Sequence, residues 1–233
     1  MSRLNTGRES CHIEFARETS SRNACTAAVA CVTLSLFGVA GEANAALVTH
    51  WNLNGVDPSV SSVAQASVGT GAIDFLGFGN GAGVMQGTTL GMIEGEIAGD
   101  SLSVAGSGSN GKSMGIGFDA NGWGDLSISF ACRRSPTGFF SNRLEMWDGL
   151  GWMLLAKFTA NATAWEMQTI DLSSFDVLDN SIAQLRVVID GATSSSGSIR
   201  FDNVSVMGTA VPAPAGALAL LGLASCVARR RRG

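Results

Sequence analysis

Histidine and cysteine are nearly missing from the part of this chain that can fold. Between residues 46 and 210 only His50 and Cys132 remain; the other histidine and the cysteines at 11, 25, 31 and 226 sit in the terminal stretches. One imidazole and one thiol cannot build a zinc centre of ordinary type, and a lone thiol excludes a disulfide within the body. Cys132 continues the apolar side of Leu126, Ile128 and Phe130 at period two, so it reads as a small buried hydrophobe. His50, beside Trp51, reads as a strand residue rather than a base or ligand. No nucleophile elbow accompanies either residue.

Positive charge is equally scarce there. Seven lysines and arginines (Lys112, Arg133, Arg134, Arg143, Lys157, Arg186, Arg200) face fifteen Asp and Glu, a net −8 against −4 for the whole chain. Such a body disfavours nucleic acid and anionic membrane surfaces as partners. Helical periodicity is absent too, and so is any calcium-hand spacing. Gly106–Ser113 (GSGSNGKS) matches the phosphate-loop pattern, but Met114-Gly115-Ile116-Gly117-Phe118 is too rich in glycine to open the required helix. A Gly/Ser turn between two strands is the reading. Glu94 and Glu96 would share one face of a strand, as a solvated edge rather than a glycosidase pair.

What is present is alternation. Short apolar–polar runs recur between clusters of Gly, Asn, Asp and Ser, in a chain with 30 glycines. The runs are Leu47–Asn54, Ala72–Phe78, Ser101–Ala105, Ser113–Phe118, Asp125–Arg134, Leu144–Trp147, Trp152–Phe158, Trp165–Leu172, Ala183–Ile189 and Ile199–Met207. Asp148-Gly149 between two of them is a hairpin-turn signal. About ten strands with no helix between them predict an all-β, antiparallel jelly-roll β-sandwich.

Both ends read as targeting segments. Residues 1–45 carry a basic start and an apolar run over Ala27–Ala40, and the small residues Ala43, Ala45 and Ala46 bracket their end. This predicts a signal peptide cut after Ala45, leaving a β-sandwich over 46–208. Residues 209–233 contain Val211-Pro212-Ala213-Pro214, an apolar run from Ala215 to Ala228, and Arg229, Arg230, Arg231 and Arg232. The apolar run reads as a short transmembrane helix stopped by the arginines, which stay on the cytoplasmic side.

This three-part tail resembles the PEP-CTERM sorting domain of Gram-negative bacteria, with Ala213 standing where the usual motif has glutamate. The resemblance implies export, membrane retention by the tail, and an exosortase-type processing enzyme as partner. Arg133–Phe139 (RRSPTGF), Asp190–Thr193, Arg200–Val204 and Trp51–Gly55 likewise resemble the β-sandwich domains of such proteins. That resemblance implies a jelly roll related in architecture to carbohydrate-binding modules, with no catalytic residues. The expected role is a non-catalytic protein of the cell surface, extracellular matrix or biofilm; the alternative is a carbohydrate-binding module that takes up exopolysaccharide.

Two sets of candidate residues follow. Modules of the kind resembled often hold a structural calcium, and Asn52, Asn54, Asp57 and Asp202 supply hard oxygen donors near the first and last strands. No other cofactor is expected. Sugar rings stack on exposed aromatics, and Trp123 and Trp147 lie near glycine-containing turns; Trp152 and Trp165 are also available.

Overall fold

In a computed structural model, residues 44–211 are described. The signal segment up to Ala43, and Pro212, Ala213, Pro214 and the arginine cluster of the tail, lie outside them. Among the described residues no helix is long and apolar enough to cross a membrane.

The elements are β1 (Ala45–Trp51), β2 (Val63–Gln65), β3 (Gly71–Asp74), β4 (Ala82–Gln86), β5 (Asp100–Ala105), β6 (Ser113–Asp119), β7 (Trp123–Arg134), β8 (Asn142–Trp147), β9 (Trp152–Phe158), β10 (Glu166–Asp171), β11 (Ile182–Val188) and β12 (Ser198–Ala210). Three short 3₁₀ turns join them. The strands form two antiparallel six-stranded sheets. One, here the terminal sheet, runs β10-β7-β12-β5-β4 with β1 also on β12. The other, the platform sheet, runs β2-β3-β6-β11-β8-β9. The expected two-layer all-β architecture is therefore present.

Alternation sets which side faces in. On β7, Leu126, Ile128, Phe130 and Cys132 are fully buried, and Ser127 and Ser129 face out. On β6, Met114, Ile116 and Phe118 are buried and the glycines between them face out. These side chains join Ile73, Leu102, Leu144, Leu185, Val187, Phe201 and Val206 in one core between the sheets. Phe130 is at its centre, edge-on to Phe158 at 5.2 Å and to Phe201 at 5.9 Å. Each such pair adds about 0.5–1.5 kcal/mol beyond the area it buries.

Strand β12 connects everything in the terminal sheet. One edge pairs with β7 along its length; the other pairs first with β5 (Phe201↔Leu102) and then with β1 (Trp51↔Val204). The switch falls at Asp202-Asn203, where the register slips and Asn203 adopts φ +47°. Asn tolerates that left-handed conformation better than most residues, so the bulge has a suitable occupant. β1 and β12 also bring the two ends of the body together, Ala45 opposite Thr209, and β12 continues to Ala210, just before Val211-Pro212.

Candidate functional site

The outer face of the platform sheet carries the best-built surface. Cross-strand register aligns Asp74, Gly115, Arg186, Glu145 and Leu154 in one row, on β3, β6, β11, β8 and β9. The next row holds Ala72, Gly117 and Gln184, with Trp147 paired to Trp152 at the β8–β9 end. Because Gly115 and Gly117 have no side chains, β6 becomes the floor of a trough. A Cβ on Gly117 would meet nothing within 4 Å, and one on Gly115 only Asp74 at 4.0 Å. Two adjoining hollows of about 370 Å³ each share Asp74, Gly115 and Trp152; Gln184 lines one and Arg186 the other.

Three side chains fix the wall of this trough. Glu145, buried on β8, accepts hydrogen bonds from Arg143 Nε and from Arg186 Nε, the latter at 2.6 Å. Burial alone would raise the Glu145 carboxyl, but the hydrogen bonds and charges of Arg143 and Arg186 outweigh it and hold the group below the ordinary carboxylate range. The Arg186 guanidinium, oriented from below by that carboxylate, lies 4.3 Å from the centre of the Trp152 ring. Trp152 in turn meets Trp147 edge-on at 5.6 Å, and the two remain 37% and 38% exposed. The result is a fixed pair of indoles, a pre-set guanidinium and the side chains of Gln184 and Asp74 beside an open floor. Flat apolar rings with a few fixed polar groups suit a ligand that has both apolar faces and a rim of hydroxyls. A further hollow of about 380 Å³, between Pro58 and Ala82, has no charged side chain in its lining.

Of the two tryptophans expected to stack, Trp147 is on this face and Trp123 is not. Trp123 opens β7 in the other sheet and packs half-buried against the core. Trp152 is the residue whose position matters most: it reaches the trough from an edge strand two places away from β11. The glycines at alternate positions of β6 were its sequence signal, since they remove side chains from one face only.

Of the residues considered for calcium, Asp202 is on β12 of the terminal sheet, whereas Asn52, Asn54 and Asp57 follow β1 in a loop and line one small hollow beside β2. Residues 87–99, closed by Gly87 N–H donating to the Gly99 carbonyl, form a strap across the outer face of the terminal sheet. Asp202, 1% exposed, accepts from the N–H of Thr88 at 2.7 Å and of Asn203 at 2.9 Å. Asn203 Nδ2 donates to the carbonyls of Thr88 and Leu90. Asn52 Nδ2 donates to Glu96, and Asn54 donates to the Ile97 carbonyl and accepts from Asp100 N–H. Asp57 caps its own turn through Ser59 and is exposed. Asp202 is engaged apart from the other three, while Asn52 Oδ1 accepts from Asn54 N–H at 3.1 Å. Among the described residues no group of three or more His, Cys, Asp or Glu is placed to hold a metal ion.

Glu94 and Glu96 are in this strap and not on an edge strand: Glu94 is exposed, whereas Glu96 turns in to His50 Nε2 at 3.0 Å. On its other side His50 Nδ1 meets Ser205 Oγ at 2.7 Å. The order Ser205–His50–Glu96 resembles a hydrolytic triad. His50 is 0% exposed under the strap and Ser205 8%, so the arrangement holds the strap down rather than meeting a substrate. The Gly106–Ser113 motif is a turn between β5 and β6, with Asn110 holding the Ala192 backbone.

No family model matches the chain, and no curated protein matches it. Several solved structures share a loose likeness of shape. The K3 cleaved adhesin domain of Lys-gingipain from Porphyromonas gingivalis W83 is 10% identical, over 70% of this chain and 99% of that one, at a TM-score of 0.39. The CBM22-1 xylan-binding domain from Paenibacillus barcinonensis Xyn10C is 14% identical, over 56% and 86%, at 0.36. The CBM22-1–GH10 modules of Clostridium thermocellum xylanase 10B are 16% identical at 0.36, over 59% of this chain and 27% of that chain, so the match spans about a quarter of the longer protein.

Proposed function

We propose that the body is a saccharide-binding module and that the outer face of its platform sheet is the binding surface. The observation that carries this reading is the Trp152–Arg186–Glu145 stack beside a trough floored by Gly115 and Gly117. A ring laid against the indoles loses little on binding, because the wall is already fixed. The ligand that matches is a neutral stretch of polysaccharide, with its hydroxyls meeting Arg186, Gln184 and Asp74. The chain's role is then that of a non-catalytic envelope or matrix protein bound to exopolysaccharide.

Delivery is read from the tail. The order Val211-Pro212-Ala213-Pro214, apolar run, arginine cluster supports sorting by a PEP-CTERM route, with an exosortase-type enzyme and the membrane as its partners. Affinity electrophoresis tests the binding half of the proposal. The full chain, purified in detergent, is run through a gel containing the host's exopolysaccharide. Retardation relative to albumin supports the reading; equal migration overturns it.

A further inference from the structure

A second surface lies on the opposite sheet. Arg133 on β7 and Arg200 on β12 are direct cross-strand partners, so their side chains leave the same face side by side. Like charges in that position destabilise a sheet. Among the described residues neither arginine makes a salt bridge, although Asp and Glu outnumber Lys and Arg by fifteen to seven over residues 46–210. The other arginines of the body are engaged: Arg143 and Arg186 on Glu145, and Arg134 on the carbonyls of Ala160, Ser135 and Pro136. Arg200 is half-buried, and burial together with the charge of Arg133 lowers its affinity for its proton. The row continues with an aromatic on one side and small residues on the other. Trp165 lies 5.9 Å from the Arg133 guanidinium, and beyond Arg200 come the buried Ser103 and then Gly83, where an added Cβ would meet nothing within 4 Å.

We propose that Arg133 and Arg200, with Trp165 beside them, form a site for an oxyanion carried on a sugar ring: a uronate carboxylate or a sulfate ester. Paired guanidinium forks match a planar or tetrahedral oxyanion and remove their mutual repulsion by sharing it. The indole supplies an apolar face for the ring that bears the charge. The oxyanion part of this inference stands on the arginines alone; the sugar part rests on the saccharide-binding reading above. The site is on the sheet opposite the trough, so one molecule would hold two strands of polymer, one by each face.

The test is calorimetric titration of the full chain in detergent at 0.15 M salt, where the body's net negative charge is screened beyond about 8 Å. Probes are tri-galacturonate, a sulfated galactose trisaccharide, neutral galactotriose and inorganic sulfate. The proposal expects at least one charged trisaccharide to bind ten-fold or more tighter than both galactotriose and inorganic sulfate; which one it is names the anion. R133Q and R200Q each weaken that binding at least ten-fold, and W152A leaves it unchanged. Both arginine variants melt at or above the wild-type midpoint, because each removes an unpaired repulsion. Any of these results overturns the proposal: neither charged trisaccharide binds; inorganic sulfate binds equally well; the arginine variants bind as wild type; or they melt lower, which makes the pair structural. Loss in W152A instead moves the anion to the trough and also overturns it. Failure of the platform reading is seen separately, in the neutral polymer and W152A.

Discussion

Replacing Asp202 by Asn gives a sharp test of how the strap is held. Burial, with the charges of Glu96 and Asp100 added, moves the Asp202 carboxyl from an ordinary 3.8 up to about 6, despite the two N–H groups it accepts from. An acid whose folded pKa is raised is charged at a cost in the native state. Well below pH 3.8 it is protonated in both states and contributes nothing. As pH rises from about 4 to about 7 the unfolded chain releases the proton first, so stability falls. Two pK units correspond to about 3 kcal/mol at most, and relaxation of the site around the charge leaves about 1–3 kcal/mol of this. Asparagine is neutral at every pH, but its amide nitrogen cannot accept, so D202N keeps only one of the two backbone N–H bonds that Oδ1 and Oδ2 of Asp202 receive. The quantity to follow is therefore the change with pH in the stability difference between the two proteins, from urea unfolding read by tryptophan fluorescence. From about pH 3 to about pH 8, D202N should gain about 1–3 kcal/mol on wild type, or a few degrees in midpoint. Taking the difference between the two proteins cancels titrating groups that do not act on Asp202, such as Asp179, which burial also raises. If D202N gains nothing on wild type between about pH 3 and about pH 8, ionising the carboxylate costs the fold nothing and the reasoning fails.

Three more outcomes are expected. Excess chelator should leave the wild-type thermal midpoint unchanged, because the Asp202 carboxylate is taken up by two backbone N–H groups and that of Asp57 by Ser59; a fall would reveal a bound cation. Gly138→Ala should lower stability by about 1–3 kcal/mol or more in denaturant titration, since its Cβ would sit 2.0 Å from the Ser198 carbonyl oxygen; wild-type stability would show that the backbone yields there. Intact mass of the mature protein from its host should begin at Ala46 and end between Val211 and Pro214, whereas a mass that includes Arg229–Arg232 would mean the tail is retained.

Alternation made most of the fold legible. β9 has the bounds that its pattern predicted, and β7 and β6 differ by one or two residues, because a half-buried strand writes its inward side chains at every second position. β2 and β4 left too little trace: one has three residues, and the other, Ala82–Gln86, has two adjacent apolar residues, Val84 and Met85, both exposed, in place of an alternating pattern. Pairing was not legible at all. From β5 to β12 the chain changes sheets at nearly every connection, so neighbours in sequence are seldom neighbours in space. That is why His50 and Glu96, separated by 46 residues, gave no hint of their contact, and why Glu96 read as a solvated edge. The same limit applied to the trough. Trp147 was found from its hairpin, but Trp152 gains its meaning only from Arg186, brought to it across β8. Trp123, near an equally promising turn, faces the core because its sheet turns that way.

The central claim is that the glycine-floored trough beside Trp152 binds saccharide, and one gel can test it. Wild type, W152A and G117V are run together through the host's exopolysaccharide and through a blank gel. G117V has room for its side chain and should fold at least as stably as wild type, since glycine weakens a strand interior. Its valine nonetheless fills the floor. The account predicts retardation of wild type alone, with both variants migrating as they do in the blank gel. Equal retardation of wild type and G117V, with G117V folded, would contradict it.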